Sequence, residues 1–401
     1  MKSLHPSSVL FTLFLASAVA LGPLSTDMYL PTFPSLAEFF SASAAEVQLT
    51  LSVFSFGIGV CQLIYGPLTD RFGRRPVIIL GLSIFIIASA GCVVADTIEQ
   101  LILFRFLQAL GVCAGLVVPR AMVRDLFARE QAATQLSRMG TIMGLAPAVA
   151  PVLGGYVAAL YGWQAVFIVP ALVAMIIVLV TMLFVDESHQ NLNRNALHPG
   201  HIIRNYAGLL RSREFLGYSL TGGFAFGALF SFISGSPLVL INVYGVAPEV
   251  FGYYFAAMVL GYMTGTLLGP YFTKRKGLNP SIGIGTLIIA AGGLLMTLTA
   301  WSGVGTEFSV VIPMVLAAIG IGMVLPQTQA GAMAPFPTMA GSASALSGFI
   351  MLGFSALLGY IVAAFYDGTQ YSLVYAIALT GCLSAIVFRL LIRKGRHDEA
   401  A

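Results

Sequence analysis

Apolar runs of about 20 residues recur along the chain, parted by short polar breaks. They fall near 8–32, 46–67, 76–95, 98–120, 135–160, 163–185, 214–240, 250–272, 280–301, 307–330, 342–366 and 371–392. Each is long enough to cross a hydrocarbon core of about 30 Å. An open sheet leaves backbone groups unpaired in lipid, so the runs predict helices. Twelve spans define an all-α membrane protein. The longest polar break, 186–213, holds Asn191, Asn193, Asn195, His198, Pro199 and Gly200. It reads as a cytoplasmic linker between two six-helix bundles, 1–185 and 214–401.

Composition agrees with this pattern. The 401 residues are 58% hydrophobic and 9% charged, whereas a soluble domain carries about 25% charged residues. The net charge of +4 does not point to nucleic acid, because the bases are confined to membrane-flanking loops. Cys61, Cys92, Cys113 and Cys382 all fall in apolar stretches and read as small buried hydrophobes. The first apolar run lacks an A-x-A-like cleavage site and is too long for a signal h-region, so it is read as retained.

Charge sets the orientation. With both termini cytoplasmic, every Lys and Arg except Arg105 falls on the inside. The opposite connectors carry only acids: Glu38, Glu46, Asp96, Glu99, Glu249, Glu307 and Asp367. This positive-inside bias supports an even helix count, since one missed span would invert everything downstream.

The connector Gly66–Pro76 reads G-P-L-T-D-R-F-G-R-R-P. Gly66-Pro67 is expected to end one helix, and Pro76 suits the first turn of the next. Gly269-Pro270 before Lys274-Arg275-Lys276 repeats it in the second half. Likewise Tyr156 in L-G-G-Y-V-A-A-L-Y recurs as Tyr360 in L-L-G-Y-I-V-A-A-F-Y. Offsets of about 203–204 residues suggest a duplicated six-helix unit, the transporter design with a site between the halves.

Candidate chemistry is sparse. No G-x-x-x-x-G-K-[ST] loop occurs, which argues against ATP hydrolysis. H-E-x-x-H and G-x-S-x-G are missing, and all five histidines lie outside the predicted spans, so neither an enzyme nor a metal or haem site is expected. Two charges fall within spans: Asp27 in L-S-T-D-M-Y-L-P and Arg105 in L-F-R-F-L-Q-A-L-G. A charge at the centre of a span costs about 2.5–3.5 kcal/mol even on the lenient scale. Both are expected in the outer half of the membrane. Asp27 either faces a cavity as a proton carrier or sits at the outer interface. Arg105 either serves the same cavity or makes a structural ion pair or carbonyl clamp.

The fifth span reads G-L-A-P-A-V-A-P-V-L-G-G over 144–155. Pro147 and Pro151 remove backbone bonds on one face, while Gly154 and Gly155 allow a neighbour to approach. Tyr29, Gln62, Gln108, Phe226, Phe230, Asn242, Tyr253, Tyr254 and Gln327 are candidate cavity-lining residues.

Several stretches together resemble the major facilitator superfamily, and within it the twelve-helix drug/proton antiporters. The connector at 66–76 is similar to the superfamily signature G-x-L-x-D-R-x-G-R-R. R-F-L-Q-A-L-G at 105–111 is similar to a proton-transfer motif. A-P-V-L-G-G is similar to an antiporter motif, with Ala150 where glycine is usual. L-S-T-D-M-Y-L-P and V-A-P-E-V-F-G-Y-Y-F, at 246–255, look like the bicyclomycin-resistance (Bcr/CflA) branch. The resemblance implies proton coupling at Asp27, modulated by Arg105. It also implies a conformational latch in which Gly66 leaves room for Asp70 to meet the start of the eleventh span at Gly341 and Ser342. Gly73, Arg74, Arg124 and Asp125 would complete that network. The implied function is proton-driven export of drugs or other small amphipathic compounds across a bacterial inner membrane, by a monomer. The partners are the substrate, protons and the bilayer, and the proton gradient stands in place of a cofactor. The same fold carrying an amino acid or nucleoside is the alternative.

Overall fold

A computed structural model describes residues 5–6, 8–189, 192, 196–303 and 305–393. Asn191, Asn193 and Asn195 of the linker, and Lys2, Lys394 and Arg396 among the bases, lie outside the described residues. Every regular element among the described residues is helical. Eleven helices are long and apolar enough to cross a membrane. A further helix, α6 (Arg129–Tyr161), is apolar over Leu145–Tyr161.

The first span combines α1 (Val9–Asp27), a 3-10 turn (Leu30–Thr32) and α2 (Phe33–Phe39). Ser8 caps it by accepting a bond from the Phe11 N–H. Pro31 and Pro34 break it without ending it, so the span runs to Phe39 rather than to residue 32. Asp27 therefore lies nearer the middle of the 31-residue span than to its outer end. A matching break occurs in the second half. There α9 (Arg213–Ser236) passes at Pro237 into a wider turn, Pro237–Val243.

α3 (Ala44–Phe72) opens on a capping box between Ser43 and Glu46. It does not stop at Gly66-Pro67 but continues to Phe72, and a single residue, Gly73, separates it from α4 (Arg74–Val93). Proline inside a membrane helix is tolerated when neighbours satisfy the freed carbonyl. The carbonyl that Pro67 frees is that of Leu63, four residues back, and it accepts from the Tyr206 hydroxyl. Gly73 makes the reversal at φ +94°, where a Cβ would be strained. α10 (Pro248–Lys276) likewise runs through Pro270 to Gly277, before α11 (Leu278–Trp301).

The remaining helices are α5 (Ile98–Leu126), α7 (Ala165–Phe184), α12 (Phe308–Met333), α13 (Ala340–Ala364) and α14 (Tyr371–Val387). α8 (Pro199–Arg211) lies in the stretch read as linker. Its Tyr206 hydroxyl donates to Leu63 O on α3.

Small residues set the packing where hydrophobic burial supplies little drive between helices in lipid. A Cβ on Gly111 of α5 would strike the Phe85 backbone of α4, and one on Gly322 of α12 would strike the Tyr262 carbonyl of α10.

Candidate functional site

Three helices bring polar groups to one buried point. Arg105 of α5 is fully buried. Its Nη1 donates to Gln108 Oε1 at 2.6 Å and, more weakly, to Ser25 O of α1 at 3.4 Å. Gln108 donates in turn to Ser89 Oγ of α4 at 2.7 Å. Aromatic faces supply the rest of the surroundings. The guanidinium carbon lies 4.0 Å from the Phe54 ring centroid, 4.7 Å from Tyr29 and 5.8 Å from Phe167. Desolvated cation–π contacts of this kind contribute about 2 kcal/mol or more. Tyr29 is fixed by its hydroxyl, 2.6 Å from Thr50 Oγ1. Arg105 Nε and Nη2 have no hydrogen-bond partner.

No carboxylate enters this box. Asp27, two residues beyond the carbonyl that Arg105 reaches, is buried. Among the described residues no ion pair or hydrogen bond is made to its side chain. The acid and the base thus occupy neighbouring stretches of α1 and α5 without pairing. Arg105 meets the Ser25 carbonyl in the manner of the clamp and makes no ion pair.

The glycines of α6 stand against this part of α1. A Cβ at Gly154 would collide with the backbone of Met28, the residue after Asp27. A Cβ at Gly155 would come to 2.8 Å from Pro248 O at the start of α10, and one at Gly252 of α10 to 2.6 Å from Val152 Cα. The stretch Pro151–Gly155 therefore joins the first span to the second half, with backbones in contact. This end is called the outer end below, and here its helices are in contact. Pro147 lies a turn further in, within the same helix.

The other end, carrying the Gly73 turn, is called the inner end below, and it is arranged differently. α3 packs along α13 at Gly59 against Phe349 and Leu352, and at Gln62 against Gly348. Contact then stops. A side chain built on Gly66 or on Gly341 would meet nothing within 4 Å, and no bond joins Asp70 to Gly341 or Ser342. Asp70 instead accepts from Arg74 Nη1 at 2.7 Å, while Arg74 Nε reaches Asp125 Oδ2 at 2.9 Å. Arg124 is exposed and stands outside this network.

Glu187, just past α7, completes the signature turn. Its carboxylate accepts the backbone N–H groups of Arg74 at 2.9 Å and Arg75 at 3.0 Å, two of the donors a helix start leaves unpaired. Arg75 donates onward to the Thr181 and Met182 carbonyls.

The proposed cavity residues divide. Tyr29 and Gln108 belong to the arginine box. Phe226 and Phe230 pack on one another on α9, 6.1 Å apart, and Gln62 lines the α3–α13 seam. Gln327 is buried against Gly269 with both amide atoms unpartnered. Asn242, Tyr253 and Tyr254 lie at the outer end, away from the buried site. Tyr253 is 56% exposed with its hydroxyl 3.4 Å from that of Tyr156, and Tyr254 donates to Glu307. Thr50, Phe54, Ser89, Phe167 and Glu187 were not legible as site residues. Only Glu187 carried a signal, an acidic pair directly after an apolar span.

Residues 15–360 match the Major Facilitator Superfamily, to which the chain belongs. It is a transporter of that superfamily and a multi-pass protein of the inner membrane. Within the superfamily it sides with the bicyclomycin-resistance branch. It is 30% identical over 389 residues, 96% of each chain, to a bicyclomycin resistance protein homolog of Haemophilus influenzae. It is 31% identical over 354 residues to a chloramphenicol resistance protein of Pseudomonas aeruginosa, covering 85% of this chain and 80% of that one. Multidrug resistance protein D of Escherichia coli is 29% identical over 393 residues, 96% of each chain. A solved bacterial homologue of the human lysosomal transporter Spinster shares the fold at TM-score 0.75 and 18% identity, covering 97% of this chain and 98% of the other.

Proposed function

We propose that this protein is a proton-coupled exporter of drugs or other small amphipathic compounds, working by alternating access. It would have twelve spans in two six-helix bundles, 1–185 and 214–401, with both termini cytoplasmic. The observation that carries the reading is the unpaired state of Asp27 and Arg105. An isolated buried carboxylate is far costlier than a neutral carboxyl, so an acid left without a partner is a place to bind a proton or a cationic ligand. In this conformer the aromatic box holds Arg105 and leaves Asp27 without a partner.

The cycle follows from that difference. Asp27 loses its proton to the inner side. The carboxylate then binds a cationic or polar substrate, or draws on Arg105. Reopening outward exposes Asp27 to a proton, which displaces the substrate. The two ligands bias the same equilibrium in opposite directions because they bind the same group in different charge states. The resistance proteins among the relatives support a drug-like cargo over an amino acid or nucleoside.

Proton release on addition of bicyclomycin, chloramphenicol or a sulfonamide to the purified protein tests the reading, with Asp27→Asn as control. Release that disappears in the variant supports competition at Asp27. Drug binding with no proton release, or release that survives in the variant, refutes it.

A further inference from the structure

The α10–α11 turn is the repeat mate of the α3–α4 turn. Gly73 and Gly277 have φ of 94° and 91°, and each donates its N–H to a threonine carbonyl four residues back, Thr69 and Thr273. That register sets Lys274 where the first half has Asp70, and Arg275 where it has Arg71. The first turn is closed electrically at two of its three arginines, with Arg71 left exposed 5.3 Å over the Phe72 ring. Arg74 is held by Asp70 and Asp125, Glu187 caps α4, and Arg75 binds carbonyl oxygens.

The second turn has no such closure. Lys274, Arg275 and Lys276 are exposed, and among the described residues none of them pairs with an acid. Residues 308–366 contain no Asp or Glu, so α12 and α13 offer no counterpart to Asp125. Glu214, at the start of α9, makes no ion pair with the three cations. Their neighbours are aromatic. Arg275 lies 4.3 Å over the Tyr271 ring, and Lys276 lies 5.7 Å over Phe272. These rings occupy the last turns of a membrane span, the level at which amphipathic aromatics meet lipid headgroups.

We propose that this turn binds the phosphate of an anionic phospholipid, which supplies the counter-charge that the first half builds from its own acids. The flanking rings place the cations at the bilayer surface, and the open start of α11 adds backbone donors and a partial positive charge. A lipid phosphate is an anion held at that level. The site follows from the asymmetry between the halves and does not depend on proton coupling.

The test titrates the purified full chain, tail acids Asp398 and Glu399 included, with phosphatidylglycerol and with phosphatidylethanolamine of the same acyl chains. Bound lipid is read by native mass spectrometry, and inorganic phosphate is added in parallel as competitor. Phosphatidylglycerol is expected to bind at least tenfold more tightly. Each of Lys274→Gln, Arg275→Gln and Lys276→Gln is expected to weaken it by about fivefold, while Arg71→Gln leaves it unchanged. Three results would overturn the proposal: no preference in the wild type, a preference retained by all three variants, or displacement by inorganic phosphate at comparable concentration. The last would make this a site for free anions.

Discussion

Arg105 lies 4.0 Å from the ring of Phe54, with no carboxylate in reach. A fully buried guanidinium surrounded by Phe54, Tyr29 and Phe167 is met by ring faces, the Gln108 amide and, more weakly, the Ser25 carbonyl. In the proposed cycle this leaves Asp27 able to exchange its proton without first breaking an ion pair. The two residues lie on neighbouring stretches and are not locked as a salt bridge, which is strongly destabilised when one partner is removed.

Asp27→Asn removes the proton exchange and keeps the shape. Uphill efflux driven by a pH gradient is expected to vanish in everted vesicles, while downhill exchange persists. For the wild type, the proposed cycle has proton and drug compete for one carboxylate. The apparent Kd for a cationic drug should therefore rise as pH falls, by up to about tenfold per pH unit for a one-proton competition. A Kd flat between pH 5 and 8 would place the coupling elsewhere.

Gln108 is the amide that faces Arg105, and its charge state should matter more than its size. Gln108→Glu puts a permanent counter-ion 3 residues from Arg105 and ties the arginine away from α1. Coupled transport is expected to fall by at least about tenfold, since hydrogen bonds to charged groups contribute about 1.5–3 kcal/mol. Gln108→Met should lose less. Initial rates in proteoliposomes measure both, and equal rates for the two variants would mean that Gln108 merely fills space.

Much of the fold was legible because lipid imposes a strict rule: a span is about 20 apolar residues, and its ends carry charge. That rule located the helices, Asp27 and Arg105. It misjudged Gly66-Pro67 as a helix end, because the group that satisfies the Leu63 carbonyl freed by Pro67 is the hydroxyl of Tyr206, far away in sequence. It also cut the first span at residue 32, where two prolines bend the chain without stopping it. The arginine box was hidden for a different reason. Phe54 and Phe167 are ordinary apolar residues in their own helices, and only the packing of α3, α5 and α7 directs them at one cation. Tyr253 and Tyr254 look like binding aromatics in sequence, yet they belong to the outer end.

Asp70 is held by Arg74 and makes no bond to the start of α13, so in the proposed cycle that contact belongs to the other state. Asp70→Asn is expected to slow turnover by about tenfold, the kinetic weight of roughly 1.4 kcal/mol, while drug affinity stays within about twofold of wild type. Single-turnover and equilibrium binding measurements separate the two. Unchanged turnover would reduce Asp70 to a partner of Arg74.

Gly154 should report directly on outer closure. A Cβ there meets the Met28 backbone, which cannot rotate away as a side chain does. Gly154→Val must therefore push α6 off the first span whenever the outer end closes, and the outward-open state has no such clash to relieve. Overpacking costs about 1–3 kcal/mol, enough to move a two-state ratio by about tenfold. Spin labels at Glu38→Cys and Glu249→Cys, in a background lacking the native cysteines, would read the separation across the outer end. The expected result is a shift of the distance distribution to longer values, with transport reduced in proportion and Gly154→Ala intermediate. If Gly154→Val leaves the distances unchanged while transport falls, the glycine acts on the Asp27 segment itself and not on the gate.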